Sequence, residues 1–139
     1  MKHTHKWVKA LMESLEAEVD EATRERILIS CGRACIPRSF VNKARKIWER
    51  NPDIDSFLEA LGGEWSHLRL EGDKVFAEYE ECYCPLVKTY PEAMSPTWCH
   101  CSRGWTKELF ESALGREVEV EMLDTILQGG ERCRFQVFL

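Results

Sequence analysis

The hydrophobic period of this chain changes once, and that change constrains its fold more than any other feature. Up to Gly62-Gly63 apolar residues recur at helical spacing, and from Trp65 onward they alternate with polar ones. Trp7, Leu11 and Leu15, joined by Val8, Met12 and Val19, predict a first helix with one apolar stripe. Asp20 offers an N-cap, with Glu21 in the first turn and Thr23 nearby. The second helix then runs through Ile27, Leu28 and Cys31 to about Cys35, where Pro37 interrupts it. A third helix is expected over 39–50, with Phe40, Val41, Ala44, Ile47 and Trp48 buried, and Asn51-Pro52 stops it. Asp53 or Asp55 can cap a short fourth helix carrying Ile54, Phe57, Leu58 and Leu61.

Beyond the switch, Leu68 and Leu70, the turn Gly72-Asp73, and then Val75, Ala77 and Tyr79 predict a β-hairpin. Ser102 is the expected cap of a helix reaching Gly115, with Trp105, Leu109 and Ala113 on one stripe. Val118, Val120 and Met122 open a strand expected to continue to about Leu127. Gly129-Gly130 turns it into a last strand through Cys133, Phe135, Val137 and Leu139. The expected architecture is α+β, one domain over 1–139. A helical layer (1–62) packs on a four-stranded antiparallel sheet (65–139), and a helix crosses between its two hairpins.

The long connection at 82–101 carries the chemistry. It holds Cys82-Tyr83-Cys84 and Cys99-His100-Cys101, two thiol pairs separated by fourteen residues, with Pro85, Pro91 and Pro96 between or beside them. A connection of this length in a compact domain is usually functional or disordered, and its aromatics and thiols argue against disorder. Four thiolates complete the tetrahedral shell that zinc prefers, so Cys82, Cys84, Cys99 and Cys101 are candidate zinc ligands. Four thiolates also suit an iron–sulfur cluster, but the usual spacings of such clusters are absent. The competing reading is a set of small buried hydrophobes.

A thiolate nucleophile is the other use of such pairs. Cys101 lies directly before the expected helix start at Ser102, where a helix N-terminus favours an anion. Cys101 is therefore the candidate nucleophile, with His100 moving protons; His100 is otherwise a ligand or a surface residue. Tyr83, Trp98 and Trp105 are candidate linings of a small-molecule pocket, since such pockets are mostly apolar and aromatic. The plain alternative is that they seal the loop against the core. Cys31 and Cys35, at i and i+4 on the second helix, can face one way and complete or replace part of the loop ligand set, but read best as core thiols. Their small neighbours Gly32 and Ala34 allow close approach of another element. Cys133 shares the apolar face of the last strand and reads as buried and structural. His3, His5 and His67 read as incidental.

Composition excludes several classes. The 139 residues suffice for one core without staples, and seven cysteines cannot all pair within one chain. No stretch approaches the ~20 apolar residues of a membrane span. The opening Met1-Lys2-His3-Thr4-His5-Lys6 has no apolar region of a secretory signal, so a cytoplasmic protein is expected. Residues 1–50 carry eleven Lys/Arg against seven Asp/Glu, whereas residues 51–139 carry eight against seventeen. The basic excess at Arg38, Lys43, Arg45, Lys46 and Arg50 reads as a solvated helix face, and the acidic second half argues against a nucleic-acid partner.

The last forty residues carry a resemblance. Cys99-His100-Cys101-Ser102-Arg103-Gly104-Trp105, then Leu114-Gly115-Arg116-Glu117-Val118, then Gly129-Gly130-Glu131-Arg132-Cys133-Arg134-Phe135 resemble the 4-vinyl-reductase domain. That domain is a small-molecule-binding α/β module similar to subunits of the TRAPP vesicle-tethering complex. The whole chain, including Cys31-Gly32-Arg33-Ala34-Cys35 and residues 98–105, is similar to the bacterial L-2-amino-thiazoline-4-carboxylic acid hydrolase-like proteins. In metal-bearing relatives of the first domain, zinc is held by an upstream Cys, a Glu and a Cys on the penultimate strand, and the Cys of the closing hairpin. Cys99 or Cys101 matches the first of these and Cys133 the last. Met122 and Thr125 stand where the middle ligands fall, so the site is either relocated to both thiol pairs or recruits Cys133.

The expected function is a cytoplasmic small-molecule-binding protein in which zinc orders the loop and the loop closes one end of an apolar pocket. One alternative is a hydrolase of a small cyclic amide or thiazoline, using metal-activated water or Cys101. A second is an interaction module that forms a homodimer through its sheet or helices.

Overall fold

A computed structural model of the chain describes residues 2–81, 84, 94–128 and 130–139. Its fold is α+β, in the expected element order. Four helices come first: α1 (Lys2–Glu18), α2 (Glu21–Cys35), α3 (Arg38–Arg50) and α4 (Ile54–Glu64). Strands β1 (Leu68–Glu71) and β2 (Lys74–Tyr79) form one hairpin, α5 (His100–Leu114) follows, and β3 (Glu119–Asp124) and β4 (Cys133–Phe138) form the second. All strand pairs are antiparallel, in the order β1-β2-β4-β3, so β4 lies between β2 of the first hairpin and its own hairpin partner β3.

Local chemistry explains most boundaries. Asp20 caps α2 by accepting the Thr23 N–H, and of the two aspartates that could cap α4 it is Asp53 that accepts from Ser56. Gly115, at φ 71°, ends α5 in the left-handed conformation that residues with a Cβ avoid. The expected helix start at Ser102 is displaced. Ser95 accepts the Thr97 N–H, Pro96 follows at the first position, and a 3-10 turn over Pro96–Cys99 runs straight into α5 at His100. Cys101 and Ser102 thus lie inside the first turn of α5. The third strand is also shorter than expected. It ends at Asp124 after an irregularity between Met122 and Asp124, and a 3-10 turn, Ile126–Gln128, takes over.

The main core lies between the sheet and α3, α4 and α5. Phe57, Phe110, Phe135, Leu61, Leu109 and Val120 are fully buried there. Each such side chain contributes about 1.5–3 kcal/mol relative to exposure. Polar stitches hold α5 to β3: Arg103 donates to the Val120 carbonyl (2.7 Å), Lys107 to that of Val118 (2.8 Å), and Glu111 accepts the Val118 N–H. On the opposite sheet face Phe76 is buried beneath the Arg134 guanidinium, 3.7 Å from the ring centroid.

The first two helices enclose a smaller cluster of Val8, Met12, Leu28 and Met94. Here the expected stripe of α1 is corrected: Trp7 is 67% exposed and Leu11 42%, while Val8 and Met12 are buried. Cys31 and Cys35, expected in the core, are exposed. The close approach expected beside them does occur. A Cβ on Gly32 would overlap the Cys101 carbonyl, and one on Gly104 the Ile29 backbone, so the two glycines let α2 and α5 cross in backbone contact. The basic residues of α3 are partly engaged: Arg38 pairs with Glu108 and Lys43 with Glu64, while Trp48 packs edge-on against Phe57. Among the described residues, no helix is long and apolar enough to cross a membrane.

Candidate functional site

A cavity of about 520 Å³ opens where α2, α3 and the start of α5 meet the ends of β2 and β4. Its size lies within the roughly 300–1,000 Å³ typical of small-molecule sites. One wall is aromatic. Phe40 and Trp65 each stand 5.7 Å from Trp105, and Trp98 joins the lining from the 3-10 turn. A second wall is built by the sheet. Tyr79 on β2 lies directly opposite Cys133 on β4, and His67 lies against Tyr79 with ring centroids 4.5 Å apart. His67 is oriented by the Glu78 backbone carbonyl, 3.1 Å from Nδ1. The Tyr79 hydroxyl hydrogen-bonds with Thr106, and burial raises its pKa, so it enters the site as a neutral phenol.

Thiols form the remainder. Cys35, Cys84, Cys99, Cys101 and Cys133 all line this cavity. They fall into two groups with opposite electrostatics. Cys133 accepts a hydrogen bond from the Cys99 thiol, which lowers its pKa to about 7 against the opposing effect of burial. The Ile126 N–H, 3.4 Å from the same sulfur, adds to the lowering. Cys101 behaves in the opposite way. Burial, together with the neighbouring Cys35, Cys84 and Cys31, pushes its pKa up to about 12. The activation expected of a thiol at the helix start is therefore found at Cys133 instead.

The 3-10 turn that delivers Cys99 and Trp98 is anchored from outside. Glu16 of α1 accepts hydrogen bonds from the hydroxyls of Ser95 and Thr97. The crossing of Gly32 against Cys101 fixes the other side of the thiol wall.

Of the expected site residues, Cys84, Cys99, Cys101, Trp98 and Trp105 are brought to this one cavity. Cys82 and Tyr83 lie outside the described residues. His100 is sent elsewhere. It lines a separate polar cleft of about 100 Å³ with Glu21, Arg24, Glu25, Pro96 and Thr97. Its Nε2 stands 3.4 Å from Glu25, and burial lowers its pKa, opposed by the Glu25 charge. His100 and Cys101, adjacent in sequence, thus line different cavities.

Among the described residues, no group of three or more His, Cys, Asp or Glu side chains is placed to hold a metal ion. The described thiols therefore present no preformed zinc cage.

Several lining residues were not legible in the sequence. His67 is one, because a single histidine beside a strand gives no signal of its own. Phe40 reads as a core residue and Trp65 only as the point where the period changes, and their tertiary meeting with Trp105 makes them a wall.

No curated protein matches the chain. A family model described as "Family of unknown function (DUF6144)" matches residues 1–139, so the chain belongs to that family.

Proposed function

We propose that this protein binds a small, flat, largely apolar molecule in the thiol- and aromatic-lined cavity. The single observation that carries this reading is the wall formed by Phe40, Trp65 and Trp105, with centroid separations of 5.7–6.3 Å, around an open volume of about 520 Å³. Aromatic faces at these separations favour a planar guest through stacking and edge contacts. His67 and the neutral Tyr79 hydroxyl region add polar contacts at one end, and soft thiols favour polarisable atoms of the ligand.

Thermal denaturation with a series of naphthalene-class ligands tests the reading. A binder raises the melting temperature as RT ln(1 + [L]/Kd) dictates. Ser102→Trp, which places an indole at the cavity lining, abolishes the shift. A series with no stabilising member, or one unaffected by Ser102→Trp, would reject the reading.

A second reading retains zinc on the thiols, favoured by the meeting of Cys84, Cys99 and Cys101 at one cavity. In it the metal gathers these sulfurs with Cys82, which lies outside the described residues, and binding contributes to folding. Elemental analysis of protein purified without a metal-affinity tag decides this reading. Stoichiometric zinc supports it, and seven freely titratable thiols without metal would reject it.

A further inference from the structure

We propose that Cys99 and Cys133 form a redox-active dithiol in the wall of the cavity, and that its substrate is a small disulfide. The inference rests on the cavity being open to small molecules, as argued above. Three observations support it. The 3-10 turn that ends at Cys99 packs against the one that opens at Ile126, whose N–H reaches the Cys133 sulfur, so the two thiols are neighbours although one precedes α5 and the other opens β4. Both line the cavity, so a ligand there meets both sulfurs. The Cys133 sulfur also accepts the Ile126 N–H at 3.4 Å, a contact that stabilises a thiolate there and points to Cys133 as the attacking sulfur.

Two thiols in contact can complete a reaction that one thiol can only begin. In the first step the Cys133 thiolate attacks one sulfur of the disulfide. A Cys133–substrate disulfide forms, the substrate S–S bond breaks, and the departing thiolate takes a proton from water. In the second step Cys99 gives up its proton and its sulfur attacks that of Cys133. A Cys99–Cys133 bond forms and the second substrate thiol leaves with a proton. Two electrons pass from the dithiol to the substrate, and one disulfide becomes two thiols. Two equivalents of an external small thiol return the pair to its reduced form and become a disulfide themselves.

The geometry separates this pair from another that the sequence brings close. Cys31 and Cys35 are both in α2, at i and i+4, where Cβ atoms stand about 5–6 Å apart. A disulfide needs about 3.5–4.5 Å, so that pair closes only if the helix distorts.

The test uses the reduced full chain and 4,4′-dithiodipyridine, followed by peptide mapping under non-reducing conditions. The expected result is a dominant Cys99–Cys133 link in the unaltered chain, and a trapped mixed disulfide on Cys133 in Cys99→Ser. An unreacted Cys133, or a dominant link that joins Cys101 to Cys35 or Cys84, would overturn the proposal. A naphthalene-class ligand at ten times its Kd leaves the free cavity about tenfold scarcer and slows the link about tenfold. Linking that a stabilising ligand does not slow supports the dithiol and counts against the cavity as its entrance. A ligand that binds to protein forming no link overturns the dithiol alone.

Discussion

Gly32 of α2 lies so close to Cys101 of α5 that a β-carbon on the glycine would sit inside the Cys101 carbonyl group. This contact sets the position of the thiol wall, because α5 carries Cys101, Ser102 and Trp105 to the cavity from the crossing point.

Gly32→Ala therefore forces α2 and α5 apart. Overpacking of this kind costs about 1–3 kcal/mol, and here the obstacle is backbone rather than a flexible side chain. Denaturant titration is expected to show that loss. Gly63→Ala provides the contrast, since nothing stands within 4 Å of the position in α4. It is expected to be neutral or to gain up to about 1 kcal/mol from helix propensity. Equal effects at the two positions would refute the backbone-contact argument.

Acid should loosen α2 and α3 from α5. Burial tends to raise the pKa of Glu108, but hydrogen bonds from Ser112, Arg38 and Arg33 outweigh it and the net shift is downward. Glu111 follows the same pattern, with the Val118 N–H and Arg33 as its strongest partners. Both carboxylates hold protons less well folded than unfolded. Their stabilisation is therefore complete above the ordinary glutamate value and is lost as pH falls below it. Stability measured from pH 6 down to 3 is expected to decline, and Arg33→Met should flatten the decline. An equally steep decline in Arg33→Met would contradict the assignment.

Cys101 should be a poor nucleophile. Burial and the surrounding thiols push its pKa up to about 12, so it is almost wholly protonated at pH 8. Timed iodoacetamide labelling read by mass spectrometry is expected to modify the exposed Cys31 and Cys35 well before Cys101. Early labelling of Cys101 would restore it as a candidate catalytic thiol.

On the outer sheet face Arg134 shields the Phe76 ring and pairs with Glu78 at 2.8 Å and Glu71 at 2.5 Å. Arg134→Ala exposes the ring and is expected to cost about 1–2 kcal/mol, mostly from lost cover rather than lost charge. Arg134→Met, which retains an apolar cover, should recover part of it. An Arg134→Met variant no more stable than Arg134→Ala would assign the effect to charge instead.

The element order was legible because period and capping act locally. Asp20 marked the start of α2, and alternation around Gly72-Asp73 marked the first hairpin. Ser102 resembles a cap, but the stronger signal, Ser95 before Pro96, belongs to the 3-10 turn that leads into α5. The face of α1 could not be chosen from sequence. Trp7 and Val8 head adjacent stripes of similar apolarity, and only packing against Leu28 and Met94 buries the second. The thiol-rich stretch is visible as chemistry, but only the family resemblance, not the periodicity, offers Cys133 as a partner for Cys99 or Cys101. Cys133 reads as one apolar position among several on β4, and its contact with Cys99 depends on where the 3-10 turn meets the sheet.

The indole N–H signals of the five tryptophans test the binding cavity most directly. Trp65, Trp98 and Trp105 line the cavity, whereas Trp7 is exposed on α1 and Trp48 packs against Phe57. Titration of ¹⁵N-labelled protein with small planar aromatics is expected to move the first three signals together, saturating at one ligand per chain, and to leave Trp7 and Trp48 in place. Aromatics that shift Trp7 while leaving Trp65 and Trp105 unmoved would contradict the account.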